Sequence, residues 1–155
     1  MVSLYEELKN LVADLNQASV PYALCGGIAM AVYGFVRATE DIDLLVQRAD
    51  LDRIFTIAAA HGYSIRSQPM LFENGALEIQ RAVKTLGADE DPLILDLLLV
   101  TPALEDVWES RQVREWPEGI ICVVSREGLI RLKSGRASGV DLEDIAKLEH
   151  EDEGS

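Results

Sequence analysis

The chain has 155 residues, a formal net charge of -13 and a hydrophobic fraction of 48%. This length and composition predict a single globular domain over residues 1–150, followed by an acidic, disordered tail at residues 151–155. No apolar run approaches the ~20 residues of a membrane-spanning helix, and acids stand near the N-terminus where an export signal carries base. We therefore expect a cytoplasmic protein without a membrane partner.

The negative charge limits the choice of partners. Broad affinity for RNA or DNA depends on Lys and Arg side chains that neutralise phosphates, and the chain has 14 of these against 27 Asp and Glu. RNA is therefore not a favoured partner, although a locally basic groove stays open. Some of the excess acids are expected to be functional, because a site for divalent cations needs uncompensated carboxylates.

Helices and strands are predicted to alternate in the first part of the chain. Apolar spacing and helix-breaking residues place helices at Leu4–Ala18, Ile28–Phe35 and Asp50–Ala60. Short apolar runs predict strands at Tyr22–Cys25 and Asp41–Val46. The second of the three helices is apolar on all sides, so we expect it to be buried.

Strands dominate the middle of the chain. A hairpin or two edge strands are predicted where Met70–Phe72, the turn Asn74–Gly75 and the spaced apolar residues of Leu77–Val83 follow one another. A further strand is predicted at Tyr63–Arg66. The most apolar strand, Leu93–Val100, should be central in the sheet with both faces covered.

The last part of the chain returns to alternation. The predicted elements, in chain order, are a helix from Pro102 to about Ser110, a strand at Ile120–Val124, a helix capped by Ser125, a break at Gly135–Gly139 and a helix from Asp141 to near His150. Interleaved helices and strands with an antiparallel hairpin predict an α/β (α+β) fold, in which helices flank a mixed β-sheet.

Three aspartates stand in strands that are otherwise aliphatic. Asp41 and Asp43 are two residues apart, so their side chains should point to one face of the sheet, about 6–7 Å apart along the strand. Asp96 is an isolated acid in the Leu93–Val100 run. Buried carboxylates need a cation, a basic partner or water. We expect all three to converge on a pair of Mg²⁺ ions, which prefer oxygen ligands and share a substrate's phosphates.

A glycine pair precedes these acids. Gly26 and Gly27 stand between a predicted strand and a predicted helix, where glycine lets the backbone approach a phosphate. Arg37 and Thr39, in the loop before Asp41, are candidates for contacting a triphosphate.

Each of these signals also has a plain structural explanation. A glycine pair can be a simple turn, Arg37 can balance Glu40, and Asp96 can be a salt-bridged structural acid. The combination of a glycine pair, two spaced acids and a third acid on a later strand favours a nucleotide-handling metal site.

The same residues carry a resemblance to a known group of enzymes. The segment G-G-I-A-M-A-V-Y-G-F-V-R-A-T-E-D-I-D-L-L-V resembles the signature of the polymerase-beta-like nucleotidyltransferase superfamily. In that signature a glycine followed by Gly or Ser precedes a short helix and an acid-x-Asp pair, and a third acid lies on a later strand. The positions that match are Gly26, Gly27, Asp41, Asp43 and Asp96.

A narrower resemblance is to small bacterial nucleotidyltransferases related to abortive-infection toxins of toxin–antitoxin systems. Leu129–Lys133, Arg136 and Asp141–Ile145 are similar to the late Lys, Arg and Asp-x-x-Asp segment of that group. The likeness implies that Lys133 contacts a phosphate. An ordinary cation at the end of a helix is the alternative for Lys133, and a helix cap is the alternative for Asp141.

The resemblance implies a reaction. An NMP would be transferred from an NTP such as ATP to a hydroxyl of RNA, of a protein or of a small molecule, with Asp41, Asp43 and Asp96 as catalytic residues holding two Mg²⁺ or Mn²⁺ ions. A toxin or an antitoxin is the implied protein partner. The alternative is a nucleotide-binding or antitoxin-like partner module with weak or no catalysis.

Overall fold

A computed structural model of the chain describes residues 3–35, 41–136 and 144–149. Its helices are α1 (Leu4–Gln17), α2 (Gly26–Val32), α3 (Leu51–Ala60), α4 (Glu105–Glu109) and α5 (Arg126–Arg136). Residues 144–149 are also helical. The strands are β1 (Ala23–Cys25), β2 (Asp41–Val46), β3 (Ile65–Arg66), β4 (Met70–Phe72), β5 (Leu77–Lys84), β6 (Leu93–Leu99), β7 (Gln112–Trp116) and β8 (Gly119–Val123).

The strands form one mixed sheet of eight strands. Their order is β3-β5-β6-β2-β1-β8-β7, and β4 also pairs with β5. The β2–β6 and β1–β8 pairs are parallel, whereas β1–β2, β5–β6 and β7–β8 are antiparallel. The predicted mixed sheet, the β4–β5 hairpin and the central place of β6 are therefore confirmed.

Helices cover both faces of the centre of this sheet. Residues 42–46 of β2 and 95–99 of β6 are buried in unbroken runs. Since successive side chains of a strand point to opposite faces, such runs require cover on both sides. α1 packs against α3, and α4 packs against α5. None of the helices in the described part of the chain has the length and apolar character needed to cross a membrane.

Serine side chains cap the first turns of α1 and α5. Ser3 accepts a hydrogen bond from the backbone N–H of Glu6 at the start of α1. Ser125 Oγ accepts one from the backbone N–H of Gly128 at 3.0 Å, which confirms its predicted role at the start of α5. Such caps satisfy backbone N–H groups that have no partner within the helix.

Several predicted details are wrong. α2 begins at Gly26 and, within its bounds, buries only Ala29 and Met30, so it is not buried on all sides. α5 continues through Gly135 to Arg136, so the predicted break does not begin at Gly135. Strand β3 is shorter than predicted.

One strand, β7, was not predicted at all. All of its residues except Trp116 are exposed, because it is an edge strand that offers little apolar pattern. The predicted helix start at Asp141 and the predicted tail at residues 151–155 lie outside the described residues.

Candidate active site

Four residues from four adjacent strands form one row across the sheet. Asp43 of β2 is paired with Cys25 of β1 on one side and with Asp96 of β6 on the other. Asp96 is in turn opposite Arg81 of β5. Paired residues share a face and neighbouring strands lie about 4.8 Å apart. The sheet therefore places the two aspartates side by side, with a guanidinium next to them.

Both aspartates of the row are buried. Asp43 is 5% exposed and Asp96 is 1% exposed, whereas Asp41 is half-buried at the beginning of β2. Asp41 lies two residues before Asp43 and so points to the same face. Like charges held this close repel one another unless cations compensate them. The predicted grouping of Asp41, Asp43 and Asp96 on one face of the sheet is thus realised by the register of β2 and β6.

Arg81 supplies part of that compensation. Its Nε donates to Asp96 Oδ1 at 2.8 Å and its Nη2 donates to Asp96 Oδ2 at 3.0 Å. The hydrogen bonds to Asp96 raise the pKa of Arg81, and the charges of Asp41 and Asp43 act in the same direction. Arg81 therefore lies in the electrostatic field of all three acids.

Sequence reasoning missed Arg81, although one signal was present. Arg81 lies two residues from each of the apolar Ile79 and Val83 in β5 and so shares their face of the strand. It is paired with Asp96 of the next strand. An arginine at an alternating apolar position of a strand indicates a buried acid on a neighbouring strand.

Gly26 packs closely on Asp43. A Cβ atom added at Gly26 would lie 2.5 Å from Asp43 Cγ and 2.7 Å from Asp43 Cβ. Gly26 also has a φ of 69°, a backbone conformation that favours glycine. Any other residue here would collide with the Asp43 carboxylate. The first glycine of the predicted phosphate loop is therefore required by this acid itself.

Lys133 approaches the same acid from α5. It lines a small cavity together with Gly26, Asp43 and leucines of β6 and α5. The cavity has a volume of about 10 Å³, close to the minimum that one water molecule needs. Lys133 Nζ lies 2.9 Å from Asp144 Oδ2, and both side chains are buried. Lys133, near the end of α5, is therefore a buried cation and not a surface charge.

Most of the predicted site residues lie in one part of the fold. Gly26, Asp41, Asp43, Asp96 and Lys133 lie around one region of the sheet, and Gly27 follows in the first turn of α2. Arg37 and Thr39 lie outside the described residues. Within the described ranges, no three Asp, Glu, His or Cys side chains are arranged to hold one metal ion. A metal site of three carboxylates stays a prediction.

The architecture is similar to solved nucleotidyltransferase structures. The lincosamide antibiotic adenylyltransferase LnuA, in its lincomycin-bound crystal structure, matches with a TM-score of 0.63 and 16% identity over 96% of this chain and 97% of that chain. A protein from Thermotoga maritima that is regarded as a nucleotidyltransferase matches with a TM-score of 0.57 and 18% identity over 95% of this chain and 92% of that one. The chain has the nucleotidyltransferase fold.

Other comparisons set the limits of this likeness. The antibiotic-resistance factor ANT(2'')-Ia also shares the nucleotidyltransferase fold, with a TM-score of 0.57 and 16% identity over 92% of this chain and 80% of that chain. No protein-family model matches the sequence, and no curated protein matches it. At such low identities the likeness is one of fold. It confirms the predicted fold class, while the relation to toxin–antitoxin proteins stays a prediction.

Proposed function

We propose that the chain is a metal-dependent nucleotidyltransferase. It would transfer an NMP from an NTP to the hydroxyl of an acceptor and release pyrophosphate. The observation that carries the proposal is the pairing of Asp43 with Asp96, both buried, on adjacent parallel strands of a nucleotidyltransferase fold. Neighbouring buried acids repel one another unless cations compensate them, and Arg81 supplies only part of that compensation, which supports a site for cations.

The fit of a divalent cation rests on the donor set. Asp41 and Asp43 offer carboxylate oxygens from one face of β2, the ligand type that Mg²⁺ and Mn²⁺ prefer. The close approach of Gly26 leaves no side chain between Asp43 and the adjacent backbone. When bound, such an ion stabilises charge on a phosphate and favours the ionised form of an attacking hydroxyl. Asp41 and Asp43 are therefore the proposed metal-binding residues, with Asp96 as the third acid.

The proposed transfer step is an in-line displacement. The acceptor oxygen forms a bond to the α-phosphorus of the NTP, the bond from that phosphorus to the bridging oxygen breaks, and pyrophosphate leaves. Asp96 would take up the acceptor's proton. Each carboxylate oxygen has two acceptor positions, so the hydrogen bonds from Arg81 leave room for this proton. Arg81 would fix the orientation of Asp96.

The chain's other residues would position the triphosphate. The backbone at Gly26 and Gly27 lies beside Asp43, where a phosphate oxygen can approach closely. Lys133 lies at the same cavity and brings a positive charge to it. Arg37 and Thr39 are proposed to contact the triphosphate from the loop before β2.

A small molecule is the acceptor that we favour. LnuA is a lincosamide adenylyltransferase with lincomycin bound, and ANT(2'')-Ia forms a complex with adenylyl-2''-tobramycin. The net charge of -13 disfavours long RNA. A hydroxyl-bearing small molecule is therefore placed ahead of an RNA end or a protein side chain.

The Arg81–Asp96 ion pair also favours a second candidate function. With Asp96 neutralised by an internal cation, the chain could bind nucleotide without turnover and act as a partner module. The proposed place in a toxin–antitoxin system, as toxin or antitoxin, belongs with either candidate. A catalytic toxin predicts that expression of the wild-type chain slows the growth of a host cell and that expression of the Asp43→Asn variant does not, whereas an antitoxin-like partner module predicts no change of growth with either chain.

The transfer proposal is tested with α-phosphate-labelled NTPs and Mg²⁺ or Mn²⁺. Each is incubated with hydroxyl-bearing small molecules, cell RNA or protein lysate. Wild type is expected to transfer label, Asp43→Asn to lose at least 100-fold, and Asp89→Asn, at an exposed loop position, to keep full activity. Absence of transfer with a retained nucleotide-dependent thermal shift would identify the partner module. Absence of both would overturn the two candidates.

A further inference from the structure

A second cavity lies on the face of the sheet opposite Asp43. Its floor is formed by Leu24 of β1, the neighbour of Cys25, and by Ile121 of β8. Leu24 pairs with Val123, two residues beyond Ile121, so both floor residues share a face. Cys25, which is paired with Asp43, points the other way. The cavity is therefore separated from the proposed active site by the thickness of the sheet.

This cavity is large enough for a ligand. Its volume is about 370 Å³, within the range of about 300–1,000 Å³ that is usual for small-molecule sites. Its walls come from three elements: Tyr5 and Leu8 of α1, Ile28 and Ala31 of α2, and Trp116 at the end of β7. Aliphatic and aromatic side chains thus surround most of it, as expected for a pocket that takes an apolar group.

The cavity wall holds a buried hydrogen-bond donor. Among the described residues, Trp116 Nε1 is buried and has no hydrogen-bond acceptor. Its ring is tilted against that of Tyr5, with centroids 5.6 Å apart, and the Tyr5 hydroxyl donates outwards to Glu118. Buried N–H groups are nearly always paired. With its nitrogen buried, the indole of Trp116 offers the cavity its apolar ring surface.

A cationic depression adjoins the cavity. The two share Val32 and Arg114 as lining residues, and the depression has a volume of about 510 Å³. The guanidinium carbons of Arg114 and Arg126 lie 5.1 and 5.0 Å from the centroid of the Tyr33 ring. Arg114 Nη2 donates to the uncharged Gln112 Oε1 at 3.0 Å. Glu127 also lines the depression, so two guanidinium groups stand against one carboxylate, and the spot is positive on balance in a chain of net charge -13.

The geometry points to a binding site for a small amphipathic anion. Its apolar body fills the cavity between α1, α2 and the β7–β8 hairpin, and its carboxylate lies at Arg114, where a charge-assisted hydrogen bond is available. The site lies on the other side of the sheet from Asp43, so it does not depend on nucleotide transfer. The ligand of this site would differ in chemical class from the NTP of the proposed active site.

The test uses two matched fluorescent probes and the full chain. 1-Anilinonaphthalene-8-sulfonate has the required apolar body and anionic group, and N-phenyl-1-naphthylamine is the same body without the charge. Wild type is expected to bind one molecule of either probe saturably, and decanoate is expected to displace both. Arg114→Gln should weaken the sulfonate probe about tenfold and leave the uncharged probe unchanged. Arg53→Gln, on the exposed surface of α3, is the control and should change neither.

The cavity itself is tested by filling it. Ala31 is exposed on α2 and lines the cavity, so Ala31→Phe should weaken both probes at least tenfold without loss of cooperative thermal unfolding. Ala31→Leu is the milder variant if the larger ring disturbs folding. The inference is overturned if wild type binds neither probe, if both Ala31 variants bind as wild type does, or if Arg114→Gln affects the two probes equally.

Discussion

The Cα atom of Gly26 lies so close to the side chain of Asp43 that no other residue fits at position 26. Three atoms of the Asp43 side chain would come within 2.7 Å of an added Cβ. This contact joins the first residue of α2 to the second acid of β2. It explains why a glycine and an aspartate that are 17 positions apart in the sequence act as one structural unit.

Gly26→Ala should therefore be far more harmful than an ordinary glycine replacement. The positive φ alone costs on the order of 1–2 kcal/mol, and displacement of Asp43 adds to it. Gly75→Ala is a matched control, because Gly75 also has a positive φ, of 91°, but nothing lies within 4 Å of its added Cβ. Urea unfolding should show that Gly26→Ala loses clearly more free energy of unfolding than Gly75→Ala. Equal losses would contradict the close contact with Asp43.

Removal of Arg81 should lower the free energy of unfolding, because Asp96 then stays buried without its guanidinium partner. Arg81→Met leaves Asp96, which is 1% exposed, without its bidentate partner. Breaking a buried ion pair from one side costs about 3–5 kcal/mol, and the partial exposure of Arg81 places this case at the lower end. The double variant Arg81→Met/Asp96→Leu should be more stable than Arg81→Met, since it leaves no buried carboxylate at position 96 that has lost its guanidinium partner. A double variant that is less stable than the single one would contradict this assignment.

The sequence predicts the site residues that stand out in their local pattern, but not those that are recognised only by a contact with a distant part of the chain. Asp41, Asp43 and Asp96 stand out because aliphatic residues surround each of them, and the strands that carry them were placed from local pattern. Arg81 was missed because its partner lies on the adjacent strand of the sheet. A single sequence does not specify which strands pair, or in which register.

Two differences in the fold have a similar origin. β7 was missed because all of its residues except the half-buried Trp116 are exposed, so this edge strand shows little apolar pattern. α2 was expected to be buried all round because its residues are apolar, but Ala31 is exposed beside the second cavity. Apolar composition indicates which residues can be buried, whereas the packing of the folded chain decides which of them are.

A pH-dependent contribution to stability is expected from Glu78. Arg48 Nη2 donates to Glu78 Oε1 at 2.7 Å and Gln80 Nε2 donates to Glu78 Oε2 at 2.8 Å. These hydrogen bonds, that from Arg48 first, lower the pKa of Glu78 in the folded chain. The stabilisation is present above the unfolded pKa of about 4.3 and is lost as the pH falls through the lower, folded pKa.

Glu78→Gln should accordingly be less stable than wild type at neutral pH and equally stable in acid. The difference at pH ~7 should be about 0.5–1 kcal/mol, because Arg48 is largely exposed to solvent. Thermal unfolding followed by circular dichroism from pH ~7 down to pH ~3 measures it. Glu90→Gln, at an exposed position, is the control. A difference that stays constant over this range would show that the charge of Glu78 is not responsible.

The buried ion pair between Lys133 and Asp144 allows a test that separates stability from phosphate binding. Lys133→Met takes the ammonium group away from the buried Asp144 carboxylate and should cost about 3–5 kcal/mol of unfolding free energy. Lys133→Met/Asp144→Leu should recover much of that loss, because apolar side chains replace both charges. If Lys133 also contacts the triphosphate, the double variant will regain stability but not the rise in melting temperature that NTP and Mg²⁺ produce in wild type. Recovery of both would assign Lys133 to the packing of α5 alone, and recovery of neither would show that the pair does not act as a unit.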